Sequence, residues 1–141
     1  MQIPAKAHYA AVAMLVLAER YTDGELISAR TISRGHDVPN QFLVQILQQL
    51  RSAKLITSTR GASGGFKLQR APEHISLAEI VDAVCGTQNN PIANAEASGL
   101  NRVMLTVWSE QSLLQRDQLE QLTLSHLLDR ATTEPAAMFY I

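Results

Sequence analysis

Three glutamines at helical spacing are the residues that could do recognition chemistry. Gln41, Gln45 and Gln48 are separated by four and three positions, so on a helix they share one face. A glutamine side chain can pair with the N6 and N7 edge of adenine in the DNA major groove. The residues that this face predicts for DNA contact are Asn40, Gln41, Val44, Gln45, Gln48 and Arg51. Because an ordinary solvated helix would show the same residues, the neighbouring elements must decide between the two interpretations.

A glycine-rich loop between two short apolar runs is the second candidate contact region. An arginine in such a loop is attracted by the negative potential of the DNA minor groove. The residues that the loop predicts for DNA contact are Arg60, Gly61, Ser63, Gly64 and Lys67. An exposed hairpin without a ligand is one alternative. A nucleotide phosphate site is another, but it requires Lys-Ser/Thr and a helix after the glycines, and here a second apolar run follows.

The elements that must position these residues follow the order of a winged helix-turn-helix. Apolar spacing predicts helices over 4–20, 28–35 and 39–53 and strands over 55–59 and 66–70. Ser28 can cap the second helix, Gly35 is predicted to end it, and Leu26 and Ile27 form a short extended lead-in. The side chains predicted to point inward are Val38, Leu43, Ile46, Leu47, Leu50, Ile56, Phe66 and Leu68. This order favours DNA contact for both candidate regions.

The second half of the chain predicts a surface for a partner helix. Ser76 and Glu79 have the spacing of a capping box and begin a helix that stops at Gly86. A long helix over 100–122 is too apolar on one side to remain alone, and a short last helix extends through Leu128. The residues predicted for dimerisation are Leu100, Val103, Met104, Val107, Trp108 and Leu114.

The predicted fold class is therefore mainly α with a small β-hairpin wing, as a winged helix-turn-helix plus a long C-terminal dimerisation helix. The expected organisation is a DNA-binding domain over 1–86, a loop over 87–99, the dimerisation helix and short last helix over 100–130, and a tail over 131–141.

Composition and charge favour a nucleic-acid-binding protein of the cytoplasm. The net charge of −1 combines +5 over residues 1–70 with −6 over residues 71–141, and a basic half is typical of a nucleic-acid binder. Ordinary charge scatter is the alternative interpretation, and the asymmetry alone does not decide between the two. A single cysteine allows no internal disulfide, and we predict a cytoplasmic protein with no signal peptide and no membrane contact.

Several segments together resemble one family of regulators. The first helix KAHYAAVAMLVLA, the helix-turn-helix, the stretch LRSAKLITSTRGASGGFKLQRAPEHISLAEIVDAVCG and the pieces VWSEQ and LTLSHLLD are similar to the Rrf-two (Rrf2) family of winged-helix transcription regulators. The most specific part is the wing pattern R-G-x-x-G-G-aromatic-x-L, which begins at Arg60 and ends at Leu68. The resemblance implies a homodimer that is joined by the long helix and binds a palindromic operator.

The chain departs from that family in two places. Several members hold an iron–sulfur cluster through three cysteines in the loop before the dimer helix, but residues 87–99 contain none. We therefore predict no cofactor and no metal, and interpret Cys85 as a buried small hydrophobe, with a redox-sensing thiol as the minority alternative. Many relatives also have an acidic residue at the position of Val44, which can touch a thymine methyl but cannot accept a hydrogen bond from cytosine.

No pattern in the chain indicates catalysis. His8, His36, His74 and His126 lack metal-ligand spacing, and no nucleophile with a matched base is apparent. The sequence predicts a homodimeric, sequence-specific regulator of transcription, a repressor that binds double-stranded DNA and responds to a regulatory protein or a small-molecule effector. The alternative is a protein-interaction module of the same fold, controlled by a partner protein, with weak or lost DNA binding.

Overall fold

The structure, a computed structural model, describes residues 3–86 and 98–133. Its elements are α1 (Ala5–Glu19), α2 (Ala29–His36), α3 (Asn40–Ser52), β1 (Ile56–Thr59), β2 (Gly65–Leu68), a 3-10 turn (Pro72–His74), α4 (Leu77–Cys85), α5 (Gly99–Gln121) and α6 (Leu124–Thr133). The predicted fold class, a mainly helical winged helix-turn-helix, is confirmed.

Helix α1 is the centre of the winged domain. It packs against α3, α4, α6 and β2, and its buried residues include Ala10, Ala13, Met14 and Leu17. A helix that is apolar on most of its circumference is a buried helix, and its alanines let neighbouring helices approach closely. The large side chains that complete this core and are fully buried are Ile32, Val38, Leu43, Ile46, Leu50, Leu55, Ile56, Ile75, Ile80 and Leu124.

Helices α2 and α3 form the helix-turn-helix. The Oγ atom of Ser28 accepts a hydrogen bond from the Thr31 N–H at 3.2 Å, which caps α2 as predicted. The predicted end at Gly35 is wrong: α2 continues to His36, and Asp37 adopts the left-handed conformation with φ 55°. A short polar side chain tolerates that conformation because it can hydrogen-bond locally. Val38 is 2% exposed and lies between the two helices, as expected.

Strands β1 and β2 form an antiparallel hairpin, with Ile56 opposite Leu68 and Thr59 opposite Gly65. Ile27 adds a third, one-residue strand, because its N–H and C=O both bond to Phe66 at 2.9 and 2.8 Å. β2 ends at Leu68 rather than at residue 70, although the Gln69 N–H still donates to Leu55 O. Ile56 and Leu68 are buried, and Phe66 is partly buried and packs against the core, so the three predicted inward positions are confirmed.

The C-terminal elements attach to the domain in two ways: α5 packs against α4, and α6 packs against α1 and the 3-10 turn. The capping box of Ser76 and Glu79 is present, and α4 ends before Gly86 at φ 73°. Beyond it, the Leu77 N–H donates to Leu122 O at 2.7 Å and the Leu124 N–H donates to Ile75 O at 3.0 Å. Backbone pairing therefore fixes the junction between α5 and α6 to the start of α4.

The ends of the C-terminal elements differ slightly from the prediction. α5 already includes Gly99, and α6 extends beyond Leu128 to Thr133. Most of the predicted loop and of the predicted tail, residues 87–97 and 134–141, lies outside the described residues. Within the described part of the chain, no helix combines the length and apolar character needed to cross a membrane.

Candidate nucleic-acid interface

Helix α3 separates its residues cleanly into two faces. Leu43, Ile46, Leu47 and Leu50 are buried in the core. The six residues predicted for DNA contact are all exposed on the other side, namely Asn40, Gln41, Val44, Gln45, Gln48 and Arg51. Among the described residues, the side chains of the three glutamines on this face have no hydrogen-bond partner. A helix of this diameter fits the major groove, so this face is geometrically free to enter it.

Two members of the face have distinctive surroundings. Val44 is 56% exposed and is an apolar residue within a polar surface. Arg51, at the last turn of α3, donates from Nη1 to the Ser58 Oγ on β1 at 3.2 Å. This hydrogen bond ties the end of α3 to the hairpin, so the helix and the wing are held side by side.

Close backbone contacts at the wing tip require glycine at two positions. A Cβ atom on Gly64 would lie 2.1 Å from Thr59 O, and one on Gly65 would lie 2.8 Å from the backbone of Ile27. Gly61 has φ +117°, a conformation that side chains rarely adopt, and its carbonyl accepts the Gly64 N–H at 3.0 Å. The glycines therefore build a tight tip, in addition to any contact they make with a ligand.

The tip exposes the charged and polar side chains that the sequence singled out. Arg60, Ser63 and Lys67 are all exposed, and neither Arg60 nor Lys67 has an acidic partner in the described part of the chain. A cation without a carboxylate partner keeps its full charge available to an anionic ligand. The loop returns directly to β2, which excludes the strand–loop–helix arrangement of a nucleotide phosphate site.

Sequence reasoning missed two arginines on α2. Arg30 and Arg34 are four positions apart, both are exposed, and neither is ion-paired within residues 3–86 and 98–133. The first helix of a helix-turn-helix crosses the DNA backbone, so both are placed for phosphate contact. The sequence signal that could have identified them is the spacing of four positions between two arginines just before the predicted turn.

Helix α5 exposes its apolar side. Leu100, Val103, Met104, Val107, Trp108 and Leu114, the residues predicted for dimerisation, are between 37% and 82% exposed. Leu113, which the prediction omitted, is 62% exposed. No residue of α5 is buried, although the helix packs against α4. Contiguous exposed apolar surface of this kind marks an interaction site.

An ion-pair cluster joins α5 to α4 on its other side. Arg116 Nη1 donates to Asp82 Oδ1 at 2.8 Å, and its Nε lies 3.2 Å from Glu120 Oε1. The hydrogen bond that Arg116 donates to Asp82, then the negative charge of Asp82, raises the pKa of Arg116 above its ordinary value. The guanidinium is therefore permanently charged.

Candidate metal ligands are scarce. Among the described residues, no group of three or more His, Cys, Asp or Glu side chains is arranged to hold a metal ion. The chain has one cysteine, Cys85, which lies at the end of α4, half-buried against the core.

Comparisons with known proteins agree with the geometry. The family model described as "Rrf2: Iron-dependent Transcriptional regulator" matches residues 3–130. The chain is 39% identical over 100 residues to the HTH-type transcriptional regulator IscR of Cereibacter sphaeroides, covering 70% of this chain and 64% of that protein. It is 29% identical over 143 residues to CymR of Bacillus subtilis, covering 100% of both. The solved structure of T. potens IscR superposes with a TM-score of 0.77 at 25% identity, covering 100% of this chain and 97% of the other.

Proposed function

Since the chain belongs to the Rrf2 family of DNA-binding transcriptional regulators, we propose that it is a homodimeric repressor that binds a palindromic operator. The observation that supports this proposal most directly is the pairing of two exposed surfaces. The polar face of α3 is held beside the wing by the hydrogen bond between Arg51 and Ser58.

Each surface has a distinct role in the proposed complex. α3 enters the major groove, where Gln41, Gln45 and Gln48 contact base edges and Val44 meets a thymine methyl. Arg60 extends from the wing tip into the adjacent minor groove, where negative potential is highest. The phosphates are neutralised by Lys67 on the wing and by the arginines of α2.

The exposed apolar side of α5 supports a homodimer. A second copy that packs its own α5 there covers the same residues on both chains, as in a two-fold interface. Two-fold symmetry then presents two copies of α3 to two half-sites, so the operator is palindromic. Repression follows from occupancy, because a dimer bound across a promoter excludes polymerase without contacting it. We place the protein in the cytoplasm, the compartment of the chromosome in bacteria such as those its relatives come from.

The available ligands do not fit a cysteine-held iron–sulfur cluster. Such a cluster takes several thiolates, and the chain supplies one, at Cys85. We propose that regulation uses another signal, such as a partner protein or a small-molecule effector. Anaerobically purified protein is expected to be colourless and to contain no iron or sulfide. A brown preparation with visible charge-transfer absorbance would contradict this part of the proposal.

One observation favours the alternative of a protein-interaction module. Phe42 and Val44 are 38% and 56% exposed on α3, so this surface is less polar than its glutamines suggest. In that case α3 binds a partner protein, and DNA affinity is weak or lost.

A selection experiment separates the two functions. Wild-type protein is used to enrich duplexes from a randomised library, and the enriched duplex is titrated by fluorescence anisotropy at several salt concentrations. We expect two chains per duplex and an affinity that falls steeply with salt. Arg60→Ala should weaken binding about tenfold, whereas Arg130→Ala, an exposed arginine on α6, should not change it. Failure to enrich any sequence would favour the protein-interaction module.

A further inference from the structure

Asp82 on α4 and Arg116 on α5 form an ion pair in which the two side chains have a fixed relative orientation. The residues are 34 positions apart in the chain, and Arg116 Nη1 donates to Asp82 Oδ1 at 2.8 Å. Arg116 Nη2 also contacts Asp82 Oδ2, so the guanidinium and carboxylate face each other through two parallel contacts. This geometry fixes relative orientation as well as distance, because both planar groups must align.

Glu120 removes the remaining freedom of the guanidinium. Its Oε1 atom lies 3.2 Å from Arg116 Nε, one turn further along α5. Each of the three guanidinium nitrogens therefore has a carboxylate partner. The side chain is held from its own helix and from α4 at the same time.

The pair lies between the proposed dimer surface and the recognition helix α3. At about 100° per residue, Arg116 projects roughly opposite to Leu100 and the apolar side of α5. Asp82 belongs to α4, which also packs against α3. Contacts thus run from α3 through α4 to α5, and the ion pair forms part of the last connection.

This connection has little apolar packing to support it. None of the residues of α5 is buried. The other firm attachment is at the C-terminal end of α5, where Leu122 O accepts the Leu77 N–H at 2.7 Å. One attachment would let α5 swing about its end. A second attachment at Arg116, about 9 Å earlier along the helix, prevents that swing.

We propose that Asp82 and Arg116 are positioning residues for operator recognition: they fix the angle between α5 and the winged domain, and thereby the spacing between the two α3 helices of the dimer. This inference rests on the proposed function, in which a homodimer binds a palindrome. In a two-fold dimer, a change in the angle between α5 and the winged domain occurs in both chains, so it moves both α3 helices. The two half-sites are read at a separation near one helical turn of DNA, so a small swing shifts the preferred spacing.

A second ion pair on the same helix provides a matched control. Arg70 donates to Glu79 at 2.8 Å, and the Arg70 side chain is 42% exposed, the same fraction as that of Arg116. Glu79 lies on α4, but Arg70 follows β2, and its hydrogen-bond partners among the described residues are Glu79 and the His74 carbonyl, neither of which is on α5. Arg70→Gln therefore removes a comparable pair without changing the attachment of α5.

Operator spacing is the first test. The probes are duplexes enriched from a randomised library by the wild-type protein, with the spacer between half-sites lengthened or shortened in single base-pair steps. Arg116→Gln and Asp82→Asn should each reduce the preference for the best spacing over its neighbours by about three- to fivefold, since a partly exposed pair is lost twice per dimer. The double variant should lose no more than either single variant, because both act through one contact.

Two controls show whether a changed spacing preference comes from the pair between α4 and α5. Arg70→Gln should keep the wild-type spacing preference, and all variants should keep the wild-type dimer dissociation constant by sedimentation. The inference would be overturned if Arg116→Gln kept the wild-type preference, or if Arg70→Gln flattened it equally.

The orientation of α5 is also measured without DNA. In a Cys85→Ala background, spin labels are placed at Ser63→Cys on the wing and at Ser109→Cys on α5, and labelled chains are diluted into unlabelled protein. Arg116→Gln should broaden the distance distribution between the labels, and Arg70→Gln should not. If the wild-type protein enriches no duplex, the proposed function fails, while the label distances still decide whether the pair orients α5. An unchanged distribution in Arg116→Gln overturns the inference.

Discussion

Helices α3 and α5 both expose one long face, but the two faces differ in chemistry. α3 buries Leu43, Ile46, Leu47 and Leu50 and exposes mostly polar side chains. α5 buries nothing and exposes apolar ones, including Trp108 at 56%. A polar face can remain in water until it meets a ligand with matching donors and acceptors, whereas an extensive apolar face favours another protein surface. The two faces are therefore suited to the two proposed partners, a nucleic acid for α3 and a protein for α5.

The charged side chains also differ between regions of the molecule. Arg20, Arg70 and Arg116 each have a carboxylate partner within 2.9 Å. On the helix-turn-helix and wing, Arg30, Arg34, Arg60 and Lys67 have no ion-pair partner within the described residues. These four cations lie on neighbouring elements and therefore present a local positive field, although the net charge of the chain is −1. Lys6, Arg102 and Arg130 are also without an ion pair among the described residues, but they lie on three different helices.

The largest expected effect tests whether α3 has one buried and one exposed face. Leu50 is 0% exposed, so Leu50→Ala leaves a cavity in the core and should cost about 2–5 kcal/mol in the free energy of unfolding. The exposed Gln48→Ala on the same helix should change it by less than about 0.5 kcal/mol. Urea unfolding followed by circular dichroism measures both. Equal effects at the two positions would mean that the division of α3 into two faces is wrong.

The next effect concerns the apolar side of α5. Trp108→Glu places a charge in the proposed dimer surface twice per dimer, so the dimer dissociation constant should rise by about a hundredfold or more. Ser109→Glu adds the same charge on the opposite side of α5 and should leave dissociation unchanged. Sedimentation over a range of concentrations measures both, with circular dichroism to confirm folding. A monomeric wild-type protein would contradict the proposed homodimer.

Gly64 in the wing is crowded, whereas Gly35 in α2 has open space around it, so the same substitution should have opposite effects at the two positions. Gly64→Ala puts a Cβ atom against Thr59 O, so the tip must rearrange, and we expect a loss of about 1–3 kcal/mol in the free energy of DNA binding. Gly35 has open space around it and lies inside α2 without a positive φ. Gly35→Ala should therefore stabilise the fold by about 0.5–1 kcal/mol. Anisotropy and urea unfolding of both variants measure these effects; a Gly64→Ala protein with wild-type affinity would remove the wing from the proposed interface.

Local patterns predicted the exposed faces well, because periodicity depends on neighbours three or four positions away. They also predicted the capping residues Ser28 and Ser76. The pairing of Ile27 with Phe66 and of Asp82 with Arg116 could not be predicted, because no local pattern specifies which distant residues meet. The predicted end of α2 at Gly35 was wrong for a different reason. Glycine often ends a helix, but Asp37 can also adopt the left-handed conformation that follows a helix, so the residue types alone do not fix the last residue of α2.

The smallest expected effect separates free cations from paired ones. A cation that contacts a phosphate releases bound counterions, so each lost contact reduces the slope of log affinity against log salt by about 0.9. Arg30→Gln and Arg34→Gln should each lower the slope by about that amount per chain and weaken affinity several-fold without changing which sequence is preferred. Arg20→Gln is the matched control, because Arg20 is already neutralised by Glu25 at 2.9 Å, and it should leave the slope unchanged. If all three variants gave the same slope, the division between free and paired cations would have no bearing on DNA binding, and the positive field would have to come from the wing alone.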